Sequence, residues 1–587
     1  MGQQKTEIRL TGIGASPGIA IGTVIILGDE TLDIEKKAMS ESDLDSEIER
    51  FEAALASAKS DTEKMYQNTI KSYGEDAAQI FNVHTYILED PLVVDETKAK
   101  IRSEKLNADF AFSEIMDKYI SVLKSMKDEL FKSRTADIWD LKRRVIKYIQ
   151  GEPQQQLVDI KEPTIVFAKE LTPSDTLRLE RPKVLGFAMD YGARTSHATI
   201  LARSIGVPAV VGLNHAGDYM QAGIQAILDG DQGLCIINPS NKTLSLYKKR
   251  YAKFLSLEKK LEGIKNLPAR TKDGKDIELA SNIEFPEEVD HILELNSDGI
   301  GLFRTEYLFL ADSHEPTEDQ QYEDYKRIAQ KLQGKSLIIR TFDLGGDKPP
   351  VSLSLPHEDN PFLGVRGIRL YRDSGYELFQ TQLRAIMRAS VHGDIRIMFP
   401  MVACVSELVA CKEIIQDIRT ELDKKKIKYN KNISLGVMIE VPSAAVIADI
   451  IAKECDFLSI GTNDLIQYTT AVDRGNKNLA YLYQPYSPAV LRFIQQVISK
   501  GHQQGTWVGM CGEMASDPLM TMVLIGLGLD EFSVSPVSHL LIKKIIRHVE
   551  FSECESMAKK TLDYSTSQDV EKYLKDVYQK KFKMLNL

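Results

Sequence analysis

The sequence predicts a multidomain α/β protein: an α/β domain with an inserted α-helical bundle, then a linker helix, then a C-terminal (β/α)8 TIM barrel. First, 587 residues are too many for one hydrophobic core, so about three domains are expected. Second, strand-like segments stand on both sides of a long helical stretch, which indicates one domain interrupted by another. Third, eight strand-like runs alternate with helical segments in the second half of the chain, as in a (β/α)8 barrel.

The α/β domain is predicted to be built from two separate parts of the chain. Residues 8–27 contain two short strand-like runs around a Gly/Pro turn, and two strands cannot form a stable sheet alone. We therefore assign residues 1–30 and 150–238 to one domain. Partner strands are predicted at 164–168, 184–189, 206–212 and 224–230.

Residues 31–149 are predicted to form the inserted helical bundle. Besides a first helix that contains residues 44–58, we expect a helix at about 75–90 that ends near Pro91. Two more helices are expected at 108–127 and at 134–150. The bundle shows no catalytic cluster, so it is either structural or a docking surface for another protein. One amphipathic face, with apolar residues at spacings of four, three, four and three, is formed by Leu44, Ile48, Phe51, Leu55 and Ala58.

The second half of the chain is predicted to be a linker followed by the barrel. A charged helix over 243–262, followed by Pro268, places the linker at residues 239–268 and the barrel at residues 269–587. The eight predicted barrel strands are Ile277–Ile283, Ile300–Arg304, Ser336–Thr341, Ile395–Pro400, Leu435–Glu440, Phe457–Gly461, Thr506–Cys511 and Glu531–Val534.

Composition excludes several classes of protein. The net charge of −10 and the pI of about 5.7 argue against nucleic acid or an anionic membrane as the main partner. No run of 18 apolar residues could span a membrane, and the N-terminus has no apolar segment typical of a secretory signal. The six cysteines contain no Cys-x-x-Cys pair, so we expect a reduced, cytoplasmic protein without a zinc site.

A histidine follows the predicted strand at 184–189, at the start of a helix. Gly192 suits a turn, Thr195 or Ser196 suits an N-cap, and His197 then lies in the first helical turn. Free backbone N–H groups and the helix dipole there disfavour imidazolium and favour a phosphoryl dianion. His197 is thus a candidate nucleophile that carries phosphate, although a capping or packing role fits the spacing equally well.

Polar residues stand at the carboxyl ends of five predicted barrel strands. Active sites of (β/α)8 barrels lie at this end, and packing does not readily explain polar groups there. Five of them together therefore indicate one site. They are Arg304, Arg340, Glu440, the Asn463–Asp464 pair and Cys511.

The arginines predict an anionic substrate. Arg304 and Arg340 supply forked cationic donors suited to phosphate or carboxylate, and Arg366 and Arg474 are further candidates. Neither a Walker-type glycine loop nor a dinucleotide fingerprint occurs in the sequence. No motif therefore indicates ATP or NAD.

The remaining strand-end residues suggest a metal and a proton donor. Glu440 and Asp464 are hard carboxylate ligands that suit Mg²⁺ beside a phosphate, although salt bridges with the same arginines would also explain them. Cys511 lies at a strand end, where its thiol could give or take a proton.

These residues lie in motifs that closely resemble enzyme I of the bacterial phosphoenolpyruvate-dependent sugar phosphotransferase system, from about residue 8 to near the C-terminus. The chain departs from that pattern at Gly192-Ala193, where two glycines are usual, and at Thr135, where alanine is usual. The matching motifs are Gly12–Gly22, Arg134–Ile138, Leu171–Thr176, Arg194–Arg203, Gly301–Glu306, Arg340–Lys348, Asn360–Arg369, Gly436–Pro442, Ser459–Gln467 and Gly509–Ala515.

The resemblance implies transfer of the phosphoryl group of phosphoenolpyruvate to Nε2 of His197, with release of pyruvate. The phosphoryl group would then pass to a histidine of the phosphocarrier HPr, as the first step of sugar uptake. Cys511 would protonate the enolate, and Thr176 would contact the histidine at rest. Glu440 and Asp464 would bind Mg²⁺. The implied substrate-binding residues are Arg304, Arg340, Arg366, Asn463, Asp464 and Arg474.

The resemblance also implies that HPr docks on the helical bundle and that the protein forms a homodimer through the barrel. Two alternatives are open, and the first of them shares the same histidine and barrel motifs. A relative of pyruvate phosphate dikinase or phosphoenolpyruvate synthase would need a large nucleotide-binding domain, for which the sequence has no room. A non-catalytic regulator that binds phosphocarriers would be expected to lack His197, Cys511 or an arginine, and all are present.

Overall fold

The structure is a computed structural model of the chain, and it separates into two compact units, residues 1–254 and 255–587. The residues it describes are 6–16, 18–27, 34–73, 84–125, 135–151, 162–169, 171, 183–191, 202, 207–310, 315–345, 358–372, 375–474, 476, 479 and 481–582. Within this described part, no helix combines the length and apolar character that crossing a bilayer requires.

The first unit contains one mixed sheet of eight strands. Its strands, in spatial order, are β1 (Ile8–Thr11), β8 (Leu234–Ile237), β7 (Gln225–Asp229), β3 (Ile19–Leu27), β4 (Thr164–Ala168), β5 (Val184–Met189), β6 (Ala209–Val211) and β2 (Ile13–Ser16). The pairings from β3 to β6 are parallel and the others are antiparallel. Strands before and after the helical segment thus share one sheet, as predicted.

The prediction of two strands in residues 8–27 is wrong, because the segment forms three. The chain breaks at Gly12, and the two short strands on either side go to opposite edges of the sheet. There β1 pairs with β8 and β2 pairs with β6. Since a bare apolar run does not reveal such a change of partner, periodicity alone missed the break.

The helical segment of the first unit has its own apolar core. All five residues of the predicted amphipathic face are buried in it, together with Phe112 and Val145. Its helices are α1 (Leu44–Tyr73), α2 (Pro91–Glu104), α3 (Ala108–Ser125) and α4 (Thr135–Ile149). Residues 84–89 are helical and end just before Pro91, as predicted, and 74–83 lie outside the described residues. The sequence analysis missed α2: Asp90 caps this helix by accepting from the Leu92 N–H, and Pro91 occupies its first turn.

One further helix, α5 (Asn241–Glu262), follows the sheet and matches the predicted linker helix. Its first half packs on the sheet, where Tyr247 is buried against Ile227 and Ile236. The Asp229 carboxylate, fully buried, accepts from the Tyr247 hydroxyl at 3.2 Å and from Arg250 Nη1 at 3.1 Å. The buried charge is therefore paired, as its burial requires.

The second unit is a closed barrel of eight parallel strands, which confirms the predicted fold class. Neighbouring strands pair in chain order, and the last pairs with the first. The strands are β9 (Glu278–Ile283), β10 (Gly299–Arg304), β11 (Ser336–Arg340), β12 (Asp394–Phe399), β13 (Leu435–Ile439), β14 (Phe457–Ile460), β15 (Trp507–Met510) and β16 (Glu531–Val534). All eight lie within a residue or two of their predicted positions.

Helices surround the barrel and seal its outer apolar face, which forms the largest core of the protein. They are α6 (Val289–Glu294), α7 (Tyr307–Leu310), α8 (Glu318–Leu332), α9 (Tyr376–Ala389), α10 (Val405–Lys424), α11 (Pro442–Val446), α12 (Ala448–Ile451), α13 (Thr462–Thr470), α14 (Pro488–Gln503), α15 (Thr521–Gly526), α16 (Pro536–Ile546), α17 (Phe551–Leu562) and α18 (Ser567–Phe582). This packing fixes the strands, so the groups at their carboxyl ends are held on a rigid base.

Candidate active site

One pocket at the carboxyl end of the barrel contains every site residue that the sequence predicted in this unit. Because parallel strands all end at the same rim, residues distant in the chain converge there. The pocket is lined by Leu302, Arg304, Arg340, Asp343, Arg366, Met438, Glu440, Gly461, Asn463, Asp464, Arg474, Cys511 and Gly512. The predicted His197 and Thr176 lie outside the described residues.

Arg304 and Arg340 are the last residues of neighbouring strands β10 and β11. Arg340 is buried, and its Nη2 lies 2.8 Å from Oε1 of Glu306 and its Nη1 3.4 Å from Oδ2 of Asp343. Burial lowers the pKa of Arg340, but the carboxylates of Glu306 and Asp343 outweigh it and raise the pKa overall. Arg304 is more exposed and pairs with Glu284 at 2.9 Å. Arg340 is thus held cationic, and both guanidinium groups lie at the rim of the pocket.

Arg366 lies between two carboxylates of the pocket. It donates from Nη2 to Oδ2 of Asp343 at 2.8 Å and from Nε to Oδ1 at 3.2 Å. It also donates from Nη1 to Oδ1 of Asp464 at 3.2 Å and to the Tyr468 hydroxyl at 3.0 Å. The forked guanidinium therefore joins the loop after β11 to helix α13 after β14. The salt-bridge interpretation of Asp464 is thus correct in part.

Asp343, Glu440 and Asp464 form a buried carboxylate cluster, with one ligand oxygen from each within 4.8 Å of the others. Glu440 forms no ion pair with a described residue, and its Oε1 accepts the N–H of Met401 at 2.6 Å. Burial raises the pKa of Glu440 to about 8, and the negative charges of Asp464 and Asp343 add to the effect. Three hard oxygen donors so close together repel one another and suit a divalent cation such as Mg²⁺.

Asn463 lies in the first turn of helix α13, and Arg474 follows that helix. The Asn463 amide exchanges hydrogen bonds with Glu513, donating from Nδ2 to Oε1 at 3.0 Å and accepting the Glu513 N–H at 3.3 Å. The backbone N–H of Arg474 donates to Oε1 of Gln467 at 3.0 Å. The side-chain Nη1 of Arg474 lies 4.0 Å from Oδ2 of Asp464. Its side chain is 30% exposed, so of the pocket's arginines it is among the freest to contact an incoming anion.

Cys511 directly follows β15 and is buried at the base of the pocket. Burial raises the pKa of its thiol to about 11, while a hydrogen bond from Ser459 and the charge of Arg340 oppose that rise. At neutral pH the sulfur therefore carries its proton. A protonated thiol facing an anion-binding pocket can act as an acid.

Sequence reasoning missed Asp343 and Glu306, two acidic residues of this site. Each lies within three residues of a predicted site arginine, Asp343 after Arg340 and Glu306 after Arg304. Glu306 Oε1 accepts both from Arg340 and from the Asp343 N–H at 2.9 Å. The signal available was that buried arginines need carboxylate partners nearby.

Three family models match the chain. The PEP-binding domain of PEP-utilising enzymes matches residues 258–551, their N-terminal domain residues 11–134 and their mobile domain residues 160–233. Phosphoenolpyruvate-protein phosphotransferase of Bacillus subtilis is 44% identical over 97% of this chain and 99% of the relative. The enzyme of the same name from Listeria innocua is 43% identical over 96% of this chain and 98% of its own length.

The chain belongs to the phosphoenolpyruvate-protein phosphotransferase family. The resemblance to enzyme I stated from its motifs is therefore confirmed. A third member of this family, from Staphylococcus carnosus, is 41% identical over 96% of the chain. A solution structure of an enzyme I protein covers 42% of this chain and 99% of its own at 37% identity, with a TM-score of 0.35, which is too low for a comparison of folds.

Proposed function

We propose that this protein transfers the phosphoryl group of phosphoenolpyruvate to Nε2 of His197, releases pyruvate, and passes the phosphoryl group to a histidine of HPr. The observation that carries the proposal is the convergence of four arginines, three carboxylates and one buried thiol in a single pocket. Phosphoryl transfer depends on positioning and charge neutralisation, and these side chains supply both. The family of the chain supports the same reaction.

The arginines would bind the two anionic groups of phosphoenolpyruvate, its phosphate and its carboxylate. Arg304, Arg340 and Arg474 line the pocket, and Arg366 donates to Asp343 and Asp464 of the carboxylate cluster. Asn463 would add a neutral donor beside them. Fixed donors of this kind stabilise developing negative charge without a cost of reorganisation during the reaction.

Glu440 and Asp464 would hold Mg²⁺, and Asp343 is a third oxygen ligand in reach of the same position. The fit rests on the donor set, because three buried carboxylates with one raised pKa are best stabilised by a cation. When bound, Mg²⁺ supplies charge neutralisation at the substrate oxygens.

Cys511 would complete the reaction at carbon. Once the phosphorus–oxygen bond breaks, the enolate that remains needs a proton on its terminal carbon to become pyruvate. The thiol holds a proton at neutral pH and borders the pocket, so it can donate that proton. Pyruvate is much more stable than its enol, which draws the transfer forward.

We propose the remaining assignments on the same basis. Residues 1–30 and 150–238 form the phosphohistidine domain, in which Thr176 contacts His197 at rest. HPr docks on the helical bundle of residues 31–149. Residues 239–268 form the linker, and the barrel of residues 269–587 binds phosphoenolpyruvate and forms the homodimer. The cysteines are free, as suits the cytoplasm in which we place the protein.

The decisive experiment is labelling of the protein with ³²P-phosphoenolpyruvate and Mg²⁺. We expect one acid-labile, base-stable phosphoryl group per chain, which purified HPr removes. His197→Ala should abolish the label, and His215→Ala, which changes an exposed histidine of the same unit, should retain it. Label that persists in His197→Ala would reject the proposed function.

A further inference from the structure

A buried serine lies next to the thiol of Cys511, on the neighbouring strand. Ser459 is in β14, opposite Gly509 of β15, and its hydroxyl donates to Sγ of Cys511 at 3.3 Å. Both side chains are about 1% exposed. The N–H of Cys511 donates to the Ile460 carbonyl at 3.2 Å, so the strand pairing itself sets this contact.

Apart from the pocket that it borders, Cys511 has apolar neighbours. Cys511 packs within the barrel interior in a cluster with Leu302, Ile338, Met398, Met438 and Phe457. The charged groups that affect it are Arg340, Glu440 and Arg304. Among the described residues, Ser459 supplies the hydrogen bond to Sγ of Cys511.

The position of Cys511 is held from a second side. The Asn282 amide donates from Nδ2 to the Cys511 carbonyl at 3.0 Å, and Ser533 donates to Oδ1 of Asn282 at 2.6 Å. The main chain at Cys511 is therefore fixed independently of Ser459. The hydroxyl of Ser459 acts on the sulfur and not on the backbone.

We propose that Ser459 is a positioning residue for proton donation by Cys511. By donating to Sγ, its hydroxyl occupies the inner side of the sulfur and leaves the S–H bond directed toward the pocket. The inference rests on the proposed function of this site.

The proton and the electrons balance in this step. The S–H bond of Cys511 breaks, and the electron pair of the enolate double bond forms the new C–H bond while the C–O bond becomes a carbonyl. The electron pair of the S–H bond stays on sulfur as a thiolate, which the Ser459 O–H stabilises. Water then returns a proton to the thiolate.

Two substitutions of Ser459 separate positioning from packing. Ser459→Ala removes the hydroxyl, and Ser459→Thr retains it. Ser281→Ala is the matched control, because Ser281 is an equally buried barrel serine whose hydroxyl contacts Ser297 and His539 and not the pocket. Steady-state pyruvate formation is measured with HPr and Mg²⁺ at varied phosphoenolpyruvate.

We expect Ser459→Ala to lower kcat about tenfold, with KM for phosphoenolpyruvate changed less than about twofold, because a hydrogen bond to a charged sulfur is lost. Ser459→Thr should recover most of the rate, and Ser281→Ala should resemble the wild type. A raised KM with unchanged kcat would show that Ser459 only shapes the pocket, and would overturn the proposal.

A second measurement does not need turnover. The rate at which iodoacetamide alkylates Cys511, followed by mass spectrometry of its peptide, reports the thiolate present. Loss of the hydrogen bond should slow alkylation about tenfold in Ser459→Ala, whereas simple loosening of the pocket would speed it, and that result would reject the proposal. Absence of phosphohistidine in the wild type would instead reject the proposed function, and the alkylation result would still stand.

Discussion

Two carboxylic acids of the barrel, Glu440 and Glu531, are buried to the same degree but in different surroundings. Glu440 lies at the carboxyl end of the strands, where Met401 donates to it and Asp343 and Asp464 are close by. Glu531, in β16, has no exposed surface, and neither of its carboxylate oxygens has a hydrogen-bond partner among the described residues. Burial is the main reason that the pKa of each is raised to about 8.

The difference lies in the groups that surround each buried carboxyl group. Both groups are disfavoured as anions, but Glu440 has neighbours that create a place for a cation. Glu531 fits inside the barrel because Gly301 beside it has no side chain: a Cβ there would lie 2.4 Å from Oε1 of Glu531. After burial, the charges that most affect its pKa are those of Glu278, which raises it, and Arg396, which lowers it, and the barrel accommodates the neutral form.

The largest expected effect contrasts an arginine of the pocket with a partly exposed arginine near the start of a barrel strand. Arg340→Met should lower kcat/KM for phosphoenolpyruvate about a thousandfold or more, because a substrate donor is lost and Glu306 and Asp343 lose their buried partner. Arg396→Met, which removes a partner of Asp394, should change kcat/KM by less than about threefold. An equal loss of kcat/KM in the two variants would contradict substrate binding in this pocket.

A second contrast concerns metal binding. Glu440→Gln should weaken Mn²⁺ binding about a hundredfold, since one of three clustered oxygen ligands loses its charge. Glu531→Gln should leave the affinity unchanged. Electron paramagnetic resonance of free Mn²⁺, titrated against each variant, measures both. Weakened binding in Glu531→Gln would mean that the two acids belong to one electrostatic unit.

The third and smallest effect is on the pH dependence of stability. The pKa of Glu531 is raised from 4.5 to about 8 in the folded state, so the folded protein keeps a proton that the unfolded chain has lost. The contribution of this proton to the free energy of unfolding is therefore complete below pH 4.5. It is lost as the pH rises toward 8, by up to about 1.4 kcal/mol per pH unit. Glu531→Leu should remove this slope.

Trp507 offers a probe for that experiment. The protein has two tryptophans, and Trp507 stacks on Phe457 inside the barrel with ring centroids 4.8 Å apart. In a Trp139→Phe background, urea unfolding at pH 5 to 8 followed by fluorescence should report the barrel alone. If Glu531→Leu leaves the pH dependence of the free energy of unfolding unchanged, Glu531 is not neutral in the folded protein.

The barrel could be predicted from the sequence because its strands are mostly continuous apolar runs, as expected for strands that are buried on both faces of the sheet. Once the fold class was inferred, the strand ends located Arg304, Arg340, Glu440 and Cys511 without any knowledge of their contacts. The geometry of the fold was sufficient to bring these residues together, since every strand ends at the same rim.

The missed residues depend on loops or on partners that no local pattern specifies. Asp343 lies in the loop after β11, where it is held by Arg366, from a later segment of the chain, and by Glu306, from an earlier one. Pro91 is ambiguous for a similar reason, because proline is compatible with the end of one helix and the first turn of the next. Asp90, the N-cap, was the residue that distinguished the two.

The mixed sheet has a consequence for the order in which a ribosome-bound chain can fold. Its first strand pairs with its last, as Ile8 lies opposite Ile237, so this pairing must wait until both strands have been synthesised. Among the described residues, the core of the helical segment between them consists of residues from 34 to 149. It can therefore fold first, and its early folding would shorten the effective loop that the sheet must close.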